Sequence, residues 1–239
     1  TISSGGTVTG SNLWNSALGQ FAISGNNSAT VTGANSKWTV SGALITGYLG
    51  SNNTLLVSNG GLVQAAANTL IGYQAGSNGN SVSVTGSNST LTASDSLITG
   101  YLGSNNSLLV SNGAKVQVAS NNLIGFSSGV VGNSALVTGS NSMLTTAGIT
   151  YAGYQGTGTL TVSDGARASG TFVVASESGS SGTITVNGTS GSRGVLQAAS
   201  VTRGNGTGDF ILDGGILQAT GNSTAFVAGF GAGNFTLGS

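Results

Sequence analysis

Nine aliphatic residues recur along this 239-residue chain at intervals of 24 to 27: Val31, Val57, Val84, Val110, Val137, Val162, Val186, Leu212 and Leu237. Each closes a short alternating run. A steady period in that range marks a solenoid, in which every repeat is one coil stacked on the next. Length then sets the number of coils, not the size of one central core.

The residues around the marker define a coil. Leu55-Leu56-Val57, Val82-Ser83-Val84, Leu108-Leu109-Val110, Leu160-Thr161-Val162 and Ile184-Thr185-Val186 keep the outer two positions apolar, while the middle one accepts Ser or Thr. That period of two predicts a strand with its outer pair facing inward. A turn comes next, as Ser58-Asn59-Gly60, Ser111-Asn112-Gly113, Ser163-Asp164-Gly165 and, shifted, Asp213-Gly214. Asn or Asp before Gly suits a corner that needs positive φ. The second strand reads Leu62-Val63-Gln64-Ala65, Lys115-Val116-Gln117-Val118, Val195-Leu196-Gln197-Ala198 and Ile216-Leu217-Gln218-Ala219. Lys115 and Arg167 replace Leu62, so that position points to solvent, and Val63, Val116, Leu196 and Leu217 point in. The third strand is Leu70-Ile71-Gly72-Tyr73, repeated around Leu97-Ile98 and Leu123-Ile124.

Three short strands per coil of ~26 residues, apolar inside, predict an all-β parallel β-helix of about nine coils. Crossovers between parallel strands are right-handed in about 98% of cases, so a right-handed solenoid is expected. Residues 44–96 and 97–149 are a gapless duplication with 35 of 53 positions identical, each unit holding two coils. Residues 1–14 are read as a degenerate further coil, since Ile2-Ser3-Ser4-Gly5-Gly6 parallels Val57-Ser58-Asn59-Gly60-Gly61. The whole of 1–239 is expected to be one solenoid segment, a slice of something longer.

Composition excludes several classes. Hydrophobic residues make up 38%, which separates the chain from disordered Gly-rich tracts despite its 43 Gly. Proline, which cannot donate to a strand ladder, is absent. Five basic and five acidic residues give zero net charge, so the basic footprint of a nucleic-acid binder is missing. No apolar run approaches the ~20 residues of a membrane-spanning helix, and no direct membrane insertion is expected of this segment. There is no Cys, hence no disulfide framework, and no His.

VSNGGLV, LIGY, VTGSNSTL and GTGTLTVSDGA are motifs in which the chain resembles the passenger repeats of type V secreted autotransporters. It is similar as well to related repeats of other large bacterial surface proteins. The resemblance covers roughly residues 15–239, and neither the family's barrel nor its autochaperone cap lies within it. It implies an exported β-helical stalk at the bacterial cell surface, acting in adhesion, autoaggregation or host contact. Expected partners are other copies of the chain, or a host-cell protein or glycan. A structural surface filament or sheath is the alternative, and a carbohydrate-active β-helix enzyme the remote one.

Chemistry is sparse. Without His there is no ordinary base for a serine nucleophile. Lys37 and Lys115 stand at ordinary repeat positions. Asp164 and Asp213 fall in the Asn-Gly turn slot, Asp95 gives way to Gly148 in the duplicate, and Glu177 with Asp209 is the one pair that neighbouring coils could bring together. No calcium-cage repeat occurs. The chain is therefore expected to be non-catalytic, without cofactor or metal. The surface candidate is an aromatic row, Tyr48, Tyr73, Tyr101, Phe126 and Tyr154, with Phe230 as its extension. It either pins coils in register or offers a contact face. A second row, of Asn from the SNN loops, is expected to hydrogen-bond along the axis.

Overall fold

The computed structural model describes residues 1–10, 16–231 and 233–238, and all regular structure among them is β. Parallel strands stack into a β-solenoid of about nine turns. The marker residues form one continuous row. Val31 pairs with Val57, Val57 with Val84, Val84 with Val110, Val110 with Val137, and the row runs on through Val162, Val186 and Leu212 to Leu237. From Val31 to Val186 every member is fully buried. Each Val or Leu so buried contributes about 1.5–3 kcal/mol relative to exposure.

The first ladder runs from Ser28–Thr32 through Thr54–Ser58, Ser81–Thr85 and Ser107–Ser111 to Phe235–Leu237. The second ladder holds Lys37–Val40, Leu62–Ala65, Thr90–Ala93 and Lys115–Val118, and the third Leu44–Thr46, Thr69–Ile71, Leu97–Thr99 and Asn122–Ile124. Val63, Val116 and Leu196 are buried, while Lys115 is exposed. The three-strand coil does not persist. Met143–Ala152, Arg167–Val174 and Val195–Arg203 each span what earlier coils divide into two strands. Met143–Ala152 covers ten residues, as many as 90–99 in an earlier coil, with the corner drawn into the strand, whereas Arg167–Val174 and Val195–Arg203 are shorter, at eight and nine residues. Register shifts at Thr145/Ile149 and Gly170/Phe172 take up the bend.

At the other end, Ile2 bridges Val31 and Thr7–Gly10 pairs with Lys37–Val40, so residues 1–10 build part of a further coil. The remainder of the degenerate coil read over 1–14 lies outside the described residues.

Two alternating devices account for the 53-residue unit. The first is the turn after the marker strand. Asn59 and Gly60 have φ of 50° and 86°, and Asn112 and Gly113 have 55° and 84°. The coils between carry a different turn: Gly86 has φ of 86° and Asn88 of 65°, and Gly139 and Asn141 have 83° and 65°. The two kinds interlock. Gly60 N–H donates to Ser89 Oγ at 3.0 Å and Gly113 N–H to Ser142 Oγ at 3.0 Å, while Gly86 N–H donates to Ser111 O at 3.1 Å. Asp164 takes the Asn59 slot, with φ of 52°. Asp213 does not: it pairs with Asn187 at the strand end, and Gly214 alone has positive φ.

The second device is inside the third ladder. Thr69 pairs with Leu97, Leu70 with Ile98, and Ile71 with Thr99. The two Leu-Ile pairs are thus out of phase by one residue, which flips their faces. Leu44, Ile71, Leu97 and Ile124 enter the main core, whereas Ile45, Leu70, Ile98 and Leu123 form a separate outer cluster. Each coil puts one large aliphatic and one small polar residue inside: Leu44 with Thr46, Thr69 with Ile71, Leu97 with Thr99, Asn122 with Ile124. The hydroxyls of Thr46, Thr69 and Thr99 and both polar atoms of the Asn122 side chain are buried without partners.

Replacing Val110 with Asp puts a charge into this closed core, and should abolish the folded circular-dichroism signal and protease resistance of the chain. Thr99→Val keeps shape and removes an unsatisfied hydroxyl, so thermal unfolding should show stabilisation of about 1 kcal/mol.

Candidate functional site

The glycine that ends each third strand sets the course of the chain beyond it. Gly72 has φ of +75°, and a Cβ there would collide with the carboxamide of Asn106, one coil on. The chain can turn outward only over a residue with no side chain. The next residue is the aromatic one, and it folds back over the outside of the strand it has just left.

Tyr48, Tyr73, Tyr101, Phe126 and Tyr154 consequently stand one above another. Ring centroids are 5.1, 5.2, 4.7 and 5.3 Å apart, with interplanar angles of 45°, 37°, 10° and 17°. Stacks of this kind contribute about 0.5–1.5 kcal/mol per pair beyond area burial. The rings are half-buried against the outer cluster of Ile45, Leu70, Ile98 and Leu123. Tyr101, Phe126 and Tyr154 stack face to face, and the pairs Tyr48–Tyr73 and Tyr73–Tyr101 are tilted. Among the described residues none of the four tyrosine hydroxyls in the row has a hydrogen-bond partner. Phe230 does occupy the slot after Gly229, but Ser176 and Asn205 interrupt the row before it. Its ring lies 6.2 Å from Phe210 and packs on the main core instead.

Beside the rings runs a groove of about 480 Å³. Ile45, Leu70 and Ile98 form its floor, Tyr73 and Tyr101 one wall, and Ala43, Ala67 and Asn68 the other. Further along the row, Tyr151 packs on the outer cluster edge-on to Tyr154, at 5.1 Å and 75°. Burial, then the neighbouring Tyr154 and the charge of Glu177, raise the Tyr151 phenol above its ordinary 10.0.

The asparagine row is internal. Asn27 Nδ2 donates to Asn53 Oδ1 at 2.8 Å, Asn53 to Asn80 at 2.9 Å, Asn80 to Asn106 at 3.1 Å and Asn106 to Asn133 at 3.3 Å. Backbone N–H groups of Asn27, Asn53, Asn80 and Asn106 donate to the same oxygens. Asn53, Asn80, Asn106 and Asn133 are fully buried. This row holds the return loops together.

The carboxylates are occupied one by one. Asp164 Oδ2 accepts from Thr138 Oγ1 at 2.8 Å and Ser163 Oγ at 2.9 Å, and Asp209 Oδ1 from Asn234 Nδ2 at 2.8 Å. Glu177 is exposed and Oε1 accepts from its neighbour Ser176 Oγ at 3.3 Å. Glu177 and Asp209 are thus each engaged separately. No group of three or more acidic side chains that could hold a metal ion occurs among the described residues. Lys115 stands exposed on the second ladder, beside Met143 and Arg167 in a shallow groove.

Sequence reasoning found both rows but missed the apolar floor beneath the rings. Its signal was present, since Ile45 and Ile98 alternate with residues that had to point inward. No helix among the described residues is long and apolar enough to cross a membrane. Comparison with family models, with curated proteins and with solved structures gave no match.

Removing one rung tests the structural part of this arrangement. Asn80→Ala leaves the buried backbone N–H and Nδ2 of Asn53 without their acceptor. Urea unfolding should show a loss of about 3 kcal/mol.

Proposed function

We propose that the chain is a segment of a non-catalytic β-helical stalk at the bacterial surface, of the autotransporter-passenger kind, acting in self-association or host contact. The observation that carries this reading is the aromatic row over its apolar floor, a polar-edged strip repeated at each of five successive coils. One such strip offers many equivalent weak contacts, and their summed avidity exceeds that of any one. The outer face of the first ladder supports the same reading. From Ser28–Thr32 to Ser181–Thr189 its strands carry no charged residue, so two such faces meet without repulsion between ionised groups. Near-zero net charge acts in the same direction.

The test is clumping of beads coated with the chain. Ala67→Asp places a charge on the groove wall at a partly exposed site, and its repulsion with Asp95 one coil on, on the order of 1 kcal/mol in water, is small enough for the fold to bear. Clumping should fall several-fold at low salt and recover as salt screens the added charge. Unchanged clumping would sink the groove as the contact surface.

A further inference from the structure

Asn59-Gly60 and Asn112-Gly113 are chemically vulnerable sequences. Glycine leaves its backbone nitrogen unobstructed. In a mobile chain that nitrogen attacks Asn Cγ: an N–Cγ bond forms, the nitrogen's proton passes to solvent base, the Cγ–Nδ2 bond breaks and ammonia leaves. Water then opens the cyclic imide at either carbonyl, giving Asp or its β-linked isomer. No oxidant or reductant enters, and water is the only co-reactant.

In the folded coil the attacking nitrogen is engaged. Gly60 N–H donates to Ser89 Oγ and Gly113 N–H to Ser142 Oγ, each at 3.0 Å. Both serines are buried, at 0% and 1% exposure, and their own N–H groups close tight turns onto Gly86 O and Gly139 O at 3.1 Å. The leaving nitrogen is engaged too, since Asn59 Nδ2 donates to Thr32 Oγ1 at 3.1 Å and Asn112 Nδ2 to Thr85 Oγ1 at 3.0 Å. The two asparagines themselves are exposed, so water and base reach them.

We propose that Asn59 and Asn112 are latent deamidation sites, held unreactive by Ser89 and Ser142 from the following coil. Loosening of the stack at either turn releases the nitrogen and starts the reaction. The chain already contains the product form. Asp164 occupies the same slot with φ of 52°, and its carboxylate takes hydrogen bonds from Thr138 and Ser163. Conversion to Asp is therefore compatible with the coil, whereas the β-linked isomer adds a main-chain atom to the turn and is not.

The experiment tracks deamidation at both asparagines by peptide mass spectrometry after incubation at mildly alkaline pH. In the unaltered chain both sites should react much more slowly when folded than in urea, a comparison that needs no variant. Equal rates would overturn the proposal. Ser89→Ala should accelerate Asn59 roughly fivefold, the worth of one hydrogen bond, and leave Asn112 as its internal control. Acceleration of both sites alike would mean general loosening, and no acceleration would mean no guard; either result overturns the assignment. Asn59→Asp should melt with the unaltered chain, and a markedly lower melting temperature would refute the claim that the turn accommodates the product.

Discussion

Backbone pairing along the axis governs everything else in this molecule. In an in-register parallel stack the closest neighbour of a residue is its counterpart one coil away, about 4.8 Å off. Side chains that attract their own kind are amplified by that geometry, and side chains that repel their own kind are penalised at every step. Two like charges at that spacing cost on the order of 1 kcal/mol even in water. The scarcity of charge thus has a sufficient structural cause before any partner is considered. The same geometry favours what is abundant here: aliphatic rows, stacked rings, carboxamides that donate to one neighbour and accept from the other, and hydroxyl pairs such as Ser58 with Thr32 and Ser111 with Thr85.

Perfect repetition of one coil would nonetheless be a poor solution. Identical turns would place the same donors above the same donors, and identical interior residues would either crowd or leave voids. Alternation resolves both. A turn with a free glycine N–H is succeeded by one with a buried serine oxygen. A coil that is large at the first interior position of the third ladder is succeeded by one that is large at the third. The residual cost is visible in the buried hydroxyls of Thr46, Thr69 and Thr99, which fill space without a bonding partner.

The period, the inward faces of the first two ladders and the aromatic row are all legible in the sequence, because each depends on side-chain type repeating at a fixed spacing. The face assignment of the third strand is not. Leu70-Ile71 and Leu97-Ile98 are the same two residue types, and only pairing through the next glycine reveals that they are one residue out of phase. Fusion of the second and third strands is hidden for a related reason: Met143–Ala152 has the same ten-residue length as 90–99, which divides into two strands. Phe230 holds the right slot yet leaves the row, because its stack is broken by Ser176 and Asn205.

Three changes fall within one coil of each other, and they have a common origin. The asparagine row stops at Asn133, which pairs with Gly158 in the next strand. Without a carboxamide there, the third-strand glycine of the preceding coil, Gly125, lies directly over the main chain of Thr157, whereas Gly100 lies over Asn133. The return loop has moved inward by the thickness of a side chain. The loop is also shorter, four residues between Ala152 and Thr157 against seven between Thr99 and Ser107, and the slot after Gly153 is succeeded by Ala175-Ser176 in place of Gly-Tyr. The aromatic strip is therefore not an independent decoration. Its first four rings belong to coils whose return loops carry the buried asparagines Asn53, Asn80, Asn106 and Asn133, and Tyr154 extends the strip one coil beyond that support.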